Sequence, residues 1–295
     1  LFPAGQTYSQ LQKARIIYEF IVKNISYSSV SFRQSAYVPQ KASKVLQTKL
    51  GDCKDLSTLY VAMAREVGLE ANLVLLSTRD NGEQAIPLPA VDFNHCIVKV
   101  KAGDEIWYLE LTDADLPFGS MPNFNVMGLA LEIPYKGQGA KSGIFPLAPT
   151  NRPLEYCYSN MQINVQNRDL SISTKNTLSG ALTRVQRKKY GALNREKQME
   201  EIQKWLGSRF TNAVVVKEVA YGGLEDLNET VQVNLQYDVR NHIIEIGELR
   251  TFPIPFYYIF VKPDAFPDEP RVSILNYWKY EEADEYKDEI RINIP

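Results

Sequence analysis

Five side chains of the 295-residue chain are histidines or cysteines: His95, His242, Cys53, Cys96 and Cys157. Histidine is the usual general base near neutral pH and a cysteine thiolate is a strong nucleophile, so any thiol chemistry must use this small set. The cysteines are odd in number and none are spaced as C-x-x-C. This excludes a zinc ribbon, a thioredoxin-type redox pair and a disulfide framework.

Cys53 is predicted to lie in the first turn of a helix. Asp52 is a favourable N-cap residue and Gly68 is favourable at the other end, so the helix should run from about Cys53 to Val67. The apolar residues of this segment recur at helical spacing: Leu56, Leu59, Tyr60, Met63 and Val67. Unpaired N–H groups and the helix dipole stabilise a thiolate in a first turn, and the positive charge of Lys54 adds to this effect. Cys53 is therefore the candidate nucleophile.

His95 and Asp113 are predicted to lie at neighbouring ends of a β-hairpin, whose strands cover residues 94–101 and 105–112. Two of the possible registers place His95 and Asp113 on one face as close neighbours, and a three-residue turn produces one of them. The register between these two would pair His95 with Thr112 and separate the two side chains. A three-residue turn is the prediction.

Each of these three residues has an ordinary structural explanation when taken alone. A cysteine near a helix start is most often a small buried apolar residue, His95 can be a satisfied core side chain, and Asp113 can cap the next turn. Their order along the chain is more specific. A helix-start cysteine, a strand-start histidine and an aspartate at the end of the adjacent strand match the nucleophile, the base and the base-orienting acid of cysteine acyl transfer.

The remaining candidate groups are interpreted as structural. Cys96 should face away from the histidine that precedes it and pack in the core, and Cys157 should also be buried. His242 is expected in a turn or at a strand edge. The basic run Arg187–Lys189 and the acidic stretch Glu281–Glu289 are expected to be solvated, and the acidic stretch lacks the Asp-x-Asp-x-Asp-Gly loop typical of calcium sites.

Hydrophobic periodicity predicts the elements that would position these residues. In the first half of the chain, one helix precedes the Cys53 helix and a strand follows it, with irregular segments between the elements. The predicted segments are a helix over 8–24, extended residues 25–27, a loop over 28–41, a helical turn over 43–49, a strand over 72–78, a loop over 79–92 and irregular segments over 114–149.

The character of the chain changes near Thr150, which predicts two domains, residues 1–149 and residues 150–295. The second domain is expected to be mostly β with a single amphipathic helix over 194–206. Its predicted strands cover 156–165, 170–177, 213–221, 229–237, 256–261 and 290–294.

The composition excludes several classes of protein. The formal net charge is −2 and the isoelectric point is about 5.9, which argues against a nucleic-acid-binding protein. No apolar run approaches the ~20 residues that a membrane-spanning helix needs. Hydrophobic residues at 44% and charged residues at 23% are typical of an ordinary folded protein.

Three segments resemble the transglutaminase-like superfamily. Leu50-Gly51-Asp52-Cys53-Lys54-Asp55 is similar to its nucleophile motif, Phe93-Asn94-His95-Cys96-Ile97-Val98 to its histidine strand, and Leu111-Thr112-Asp113 to its aspartate strand. The resemblance covers about residues 8–115. It implies a papain-like fold in which Cys53 is the nucleophile, His95 is the base and acid, and Asp113 is the acid that orients the histidine.

The resemblance narrows to bacterial multidomain members, in which β-rich domains flank this core. It implies that residues 150–295 are the C-terminal flank, that an N-terminal β domain precedes Leu1, and that the protein is exported to the periplasm or cell surface. The backbone N–H of Cys53 is one candidate donor to an oxyanion. Gln47 and Tyr27 are further candidates, although a structural role is the expectation for each.

The sequence therefore predicts an α+β protein: a papain-like transglutaminase core, with the helix-start cysteine packed on an antiparallel sheet, followed by a mostly β domain with one helix. The expected activity is thiol-dependent acyl transfer on a peptide, protein or cell-wall-derived amide, without a cofactor or metal. Hydrolysis and transamidation are both open, as is the oligomeric state. The alternative is a catalytically silent papain-like binding or scaffold module at the cell envelope. A metal site would need more ligands than Cys53, Cys96 and His95 can supply in adjacent geometry.

Overall fold

The computed structural model describes residues 1–3, 5–29, 38–81, 93–135, 143–257, 270 and 284–294. The chain divides into two compact units, Leu1–Pro153 and Leu154–Pro295. The elements of the first unit are α1 (Gln10–Asn24), β1 (Ser26–Tyr27), α2 (Ala42–Thr48), β2 (Leu50–Gly51), α3 (Cys53–Glu66), β3 (Glu70–Ser77), β4 (His95–Ala102), β5 (Glu105–Leu109), β6 (Leu129–Ile133) and β7 (Ile144–Pro146), with a short 3-10 turn at Arg79–Asn81.

The first unit is built on a five-stranded antiparallel sheet of order β5-β4-β3-β6-β7. Helix α3 packs against β3 and β4, and α1 packs against α3 and β4. Each helix buries the apolar face that the spacing of its sequence predicts. The fully buried residues of the two helices include Ala14, Ile17, Tyr18, Ile21, Leu56, Tyr60 and Ala64.

Helices α1 and α3 begin with the same capping arrangement. The Ser9 side chain accepts a hydrogen bond from the N–H of Gln12, whose side chain accepts one from the N–H of Ser9. Asp52 and Asp55 make the same reciprocal pair at the start of α3. Each pair satisfies two N–H groups that a helix start otherwise leaves unpaired. The predicted start of α3 at Cys53 is confirmed.

The register of the β4–β5 hairpin differs from the prediction. Ala102 pairs with Glu105, so the turn contains two residues, Gly103 and Asp104, rather than three. Gly103 has a φ of +71°, a left-handed conformation that glycine reaches without steric cost and that two-residue hairpin turns favour. The predicted register was therefore wrong by one residue. Each residue of β5 consequently lies on the face opposite to the one expected.

The segment over 114–149, predicted to be irregular, contributes two strands to the sheet. Strand β6 pairs with β3, and β7 pairs with β6. These strands have only five and three residues, and β6 joins a partner that lies about fifty positions earlier in the chain. Local periodicity detects neither, because the pairing is set by the fold and not by an alternating pattern.

The second unit contains a five-stranded sheet of order β10-β11-β9-β8-β14, in which β14 is parallel to β8 and the other pairs are antiparallel. Helix α5 packs against β10. The elements are β8 (Tyr156–Gln166), β9 (Asp169–Leu178), α4 (Leu182–Tyr190), α5 (Arg195–Gly207), β10 (Val214–Gly222), β11 (Val231–Val239), β12 (Ile244–Ile246), β13 (Leu249–Thr251) and β14 (Glu285–Asn293).

Helix α4 corrects two predictions for the second unit, which has two helices among its described residues and not one. The helix carries the basic run that was expected to be solvated, yet Arg187 is buried. Its guanidinium donates to the backbone carbonyls of Gly223, Asp226 and Glu229. The two lysines that follow it are exposed, as predicted. A charged residue is usually solvated, but it can be buried when enough hydrogen-bond acceptors surround it, as they do at Arg187.

Several predictions fall partly outside the described residues. These are the loops at 30–37 and 82–92, the strand at 258–261 and the acidic stretch at 281–283. The strand predicted over 290–294 lies largely within β14.

Among the described helices, α1 is the longest with 15 residues. None of these helices is long and apolar enough to cross a membrane.

Candidate active site

The cysteine at the start of α3 is held by the capping arrangement and by the sheet below it. Cys53 is the first helical residue and is 4% exposed. It packs with Cys96 of β4 and with Leu73 and Leu75 of β3. The hydroxyl of Ser57 donates to the carbonyl of Cys96 over 3.1 Å, which ties α3 to β4. The prediction that Cys96 lies in the core is confirmed, and all three cysteines are free thiols.

His95 is the first residue of β4, and it lies between Cys53 and a carboxylate. Its Nε2 is 2.6 Å from Oε2 of Glu110, and the His95 side chain is 12% exposed. Burial alone would lower the pKa of His95. The negative charge of Glu110 and the hydrogen bonds that the imidazole makes with Cys53 and Glu110 outweigh burial, so the pKa is raised above its usual 6.5. The imidazolium form is therefore favoured at this place.

Glu110 is the residue that follows β5, and its carboxylate is saturated with hydrogen bonds. Oε1 accepts from the backbone N–H of Thr112 over 2.9 Å and from its hydroxyl over 2.6 Å. Oε2 accepts from Nδ2 of Asn125 over 2.8 Å and also contacts His95. Burial would raise the pKa of this carboxyl, but the charge of His95 and these hydrogen bonds hold it below its usual 4.5. Glu110 is therefore a buried anion whose charge is matched by the imidazolium.

The contact that the sequence assigned to Asp113 is made by Glu110. Oδ1 of Asp113 accepts from the N–H of Asp115 over 3.0 Å, in the turn that follows β5. The two-residue hairpin turn explains the difference. Extending the observed register puts Thr112 across from His95, so Glu110 shares the face of His95 whereas Asp113 belongs to the opposite one. The Gly103-Asp104 dipeptide is the sequence signal that could have identified this register.

Lys54 does not act as an isolated positive charge beside the thiol. Its Nζ is ion-paired with the carboxylate of Asp52, and both side chains are 4% exposed. The pair balances its own charge in the first turn of α3. The local field that the sequence attributed to Lys54 is therefore shared with an adjacent negative charge.

Tyr27 and Gln47 occupy different surroundings. Tyr27 in β1 pairs with Gly51 of β2, two residues before the cysteine. Burial raises the pKa of Tyr27 and the negative charge of Cys53 adds to it, while a hydrogen bond with Ser29 acts in the opposite direction. The pairing with Gly51 places Tyr27 beside the chain segment that leads into α3. Gln47, in contrast, is an exposed residue of α2.

A cavity of about 290 Å³ adjoins the first turn of α3. The polar side chains in its wall are paired with each other: Gln40 donates from its backbone and its side chain to the two oxygens of Asp55, over 2.7 and 2.8 Å. The cavity is lined by Ser28, Val38, Gln40, Leu50, Gly51, Asp52, Lys54 and Asp55. The lining residues come from before and after Cys53 in the sequence.

No group of three or more His, Cys, Asp or Glu side chains in the described ranges is arranged to hold a metal ion. The arrangement of Cys53, His95 and Glu110 instead brings together a thiol, an imidazole and a buried carboxylate. Chemically, such a set can form a nucleophile, transfer a proton and keep the proton carrier oriented.

Comparison with known protein families gives a match within the first unit. Residues 3–109 match the model of the transglutaminase-like superfamily. The matched range contains Cys53 and His95 and ends one residue before Glu110. Residues 3–109 are therefore similar to the transglutaminase-like superfamily, and a β-rich region follows them.

No curated protein matches the sequence. A crystal structure of a candidate protease from Parabacteroides distasonis is 10% identical to this chain, with a TM-score of 0.41. The similarity covers 79% of this chain and 46% of that one, so this chain spans less than half the length of that structure.

Proposed function

We propose that the first unit carries out thiol-dependent acyl transfer on peptide or carboxamide bonds, with Cys53 as nucleophile, His95 as base and acid, and Glu110 as the residue that orients His95. The observation that carries the proposal is the position of His95. Its Nε2 lies 2.6 Å from a carboxylate that is 2% exposed, and the Cys53 side chain is close enough to the imidazole to contribute to the raised pKa of His95. A base fixed between a thiol and a buried acid is suited to proton transfer and ill-suited to solvent contact.

The chemistry proceeds in two balanced steps. The Cys53 sulfur attacks the carbonyl carbon, and the proposed donor to the oxyanion is the backbone N–H of Cys53, because N–H groups at a helix start favour negative charge. His95 gives its proton to the leaving amine as the C–N bond breaks, which leaves a thioester. Water or a second amine then attacks the thioester, His95 takes its proton, and the sulfur departs as thiolate. The acceptor decides whether the reaction is hydrolysis or transamidation.

The alternative function is a catalytically silent binding or scaffold module. The 4% exposure of Cys53 favours it, because a nucleophile must be reached by its substrate. The two functions differ in one property: an active site requires the reactivity of Cys53 to depend on His95 and on the acid behind it, whereas a binding module does not.

The test is the rate of iodoacetamide alkylation of each cysteine as a function of pH, mapped by mass spectrometry. Cys96 and Cys157 are buried thiols whose pKa values burial raises, and they serve as internal controls. We expect Cys53 to be alkylated fastest at neutral pH, and we expect His95→Ala to slow it at least tenfold. An equal Cys53 rate in the wild type and His95→Ala would overturn the catalytic proposal and favour the silent module.

The role of the acid is tested with a matched pair of variants. Glu110→Gln should slow Cys53 alkylation near neutral pH, because the imidazolium loses its negative partner. Asp113→Asn, three residues further on, should leave the rate within about twofold of the wild type. The reverse result, with Asp113→Asn slow and Glu110→Gln unchanged, would return the orienting role to Asp113.

A further inference from the structure

Asn125 is a fully buried amide that contacts the candidate acid. Its Nδ2 donates to Oε2 of Glu110 over 2.8 Å, and this is the same carboxylate oxygen that lies 2.6 Å from His95. Asn125 is 0% exposed, and its Oδ1 has no hydrogen-bond partner among the described residues. A buried amide that leaves its oxygen unpaired costs free energy, so the contact made by its nitrogen must offset that cost.

The backbone around Asn125 fixes the amide in place. The N–H of Asn125 donates to the carbonyl of Pro122 over 2.9 Å, and its own carbonyl accepts from the N–H of Gly128 over 3.0 Å. A Cβ at Gly128 would lie 2.8 Å from the carbonyl oxygen of Ser77 and 3.0 Å from that of Asn125. The turn therefore packs directly on the end of β3, and only glycine fits at that place.

The chemical type of this donor matters for the pair. Glu110 is desolvated, so its charge must be stabilised by donors from the protein. A lysine or arginine at this position would neutralise the carboxylate and compete with His95 for its charge. An amide stabilises the anion and restricts the rotation of the carboxylate without adding a charge of its own.

We propose that Asn125 is a positioning residue that keeps Glu110 ionised and aimed at His95. This inference rests on the proposed function only where it concerns activity. The contact between His95 and Glu110 can be followed through the titration of His95 whether or not the protein is an enzyme. Loss of the Asn125 donor should make Glu110 easier to protonate, and the acid-side titration seen at His95 should move to higher pH.

Among the described residues, few other titratable side chains act on the pair. Cys53 acts on His95, and Cys96 from β4, Tyr18 from α1 and Tyr27 from β1 act on Glu110. Burial raises the pKa values of the two tyrosines and of Cys96, so these three are neutral in acid. Asp113 and Asp115 are the other carboxyls of the turn after β5. The same titration of Asp113→Asn and of Asp115→Asn shows whether either one contributes.

The experiment uses NMR of ¹⁵N-labelled histidine. His242→Gln leaves His95 as the only histidine of the chain. The His95 ring signals are followed from neutral to acid pH in this background and in two added variants, Asn125→Leu and Asn125→Asp. Both substitutions keep the approximate shape of the side chain; the first removes the donor and the second adds a negative charge. We expect the acid-side midpoint to rise by about one pH unit in Asn125→Leu and by more in Asn125→Asp.

Asn176 of the second unit provides a matched control. It is 1% exposed, its Nδ2 donates to Thr174 and to the carbonyl of Val233, and its Oδ1 also lacks a partner among the described residues. Asn176→Leu should destabilise the fold without moving the His95 midpoint. The same midpoint in Asn125→Leu as in Asn176→Leu would overturn the proposal. A shifted midpoint in Asn125→Leu, together with a Cys53 alkylation rate that is the same in the wild type and His95→Ala, would support the positioning role and refute the acyl-transfer function.

Discussion

At the scale of single residues, the candidate site is defined by the 2.6 Å contact between Nε2 of His95 and Oε2 of Glu110. Cys53 and His95 could be predicted, because a helix-start cysteine and a strand-start histidine are local features. The acid could not be chosen with the same certainty. Glu110 and Asp113 differ by an odd number of positions, so a register error of one residue exchanges them between the two faces of the strand. The buried partner Asn125 gives no local signal, since its role comes from a contact made across the fold.

The opposite pKa shifts of the pair predict how stability depends on pH. The raised pKa of His95 contributes stability that is fully present below pH 6.5, its unfolded value, and is lost as the pH rises through the folded pKa. The lowered pKa of Glu110 contributes stability that is present above pH 4.5 and is lost as the pH falls through its folded pKa. The first unit should therefore be most stable between about pH 4.5 and pH 6.5, where both contributions are fully present.

Glu110→Gln should remove the pH dependence of stability that comes from His95 as well as the one that comes from Glu110. We expect it to lower the free energy of unfolding by about 3 kcal/mol near pH 6, since it leaves a buried imidazole without its charge partner. The decline on either side of the optimum should become shallower. Urea denaturation over a range of pH measures this, with Asp113→Asn as the control. Parallel curves for the wild type and Glu110→Gln would contradict the expectation.

At the scale of elements, the two capping boxes show what local sequence can determine. The start of α3 was predicted at Cys53, and α1 begins two residues after its predicted start at residue 8. Both starts could be predicted this closely because each depends only on a short pattern of polar residues. The strands β6 and β7 were not predicted, because their partners are distant in sequence. An element could be predicted when the residues that stabilise it are close together in sequence, and it could not be predicted when its stabilising partner is distant.

The two capping boxes also predict a difference in stability. Ser9 is exposed, and Ser9→Ala should cost about 1 kcal/mol. Asp52→Ala should cost more, because it removes a cap and also leaves Lys54 buried without that carboxylate. Asp52→Asn keeps the capping oxygen and loses only the charge, so its cost should fall between the wild type and Asp52→Ala. Urea unfolding followed by circular dichroism measures all three; equal costs for Ser9→Ala and Asp52→Ala would refute the ion-pair contribution.

At the scale of the whole molecule, the chain contains a first unit whose residues 3–109 are similar to the transglutaminase-like superfamily and a β-rich second unit with a buried arginine, Arg187. The α+β class and the core were accessible from sequence, since the motifs and the helix periodicity agree with each other. Helix α4 was missed because its inward side carries Thr183 and Arg187 as well as apolar residues. A pattern search that counts only apolar positions does not recognise such a face.

The guanidinium of Arg187 should be a main support of the loop after β10. Arg187→Lys preserves the charge but cannot reach three carbonyls with one ammonium group in the same geometry. We expect a loss of about 3 kcal/mol in the stability of the second unit, measured by urea denaturation. Lys188→Ala, an exposed neighbour, should change stability by less than ~0.5 kcal/mol. Similar effects of the two variants would show that the buried contacts carry little free energy.

The length of the two-residue turn at Gly103 and Asp104 decides which face of the sheet each residue of β5 occupies. Surface turns usually accept insertions and deletions freely. Here, adding or removing one residue would invert the face of every position in β5 and carry the Glu110 carboxylate to the other side of the sheet, whereas a change of two would restore the alternation. The length of a turn at the opposite end of the hairpin from His95 is thus under a constraint that its own surroundings do not reveal. The site should therefore survive a change in the length of this turn only when the number of residues added or removed is even.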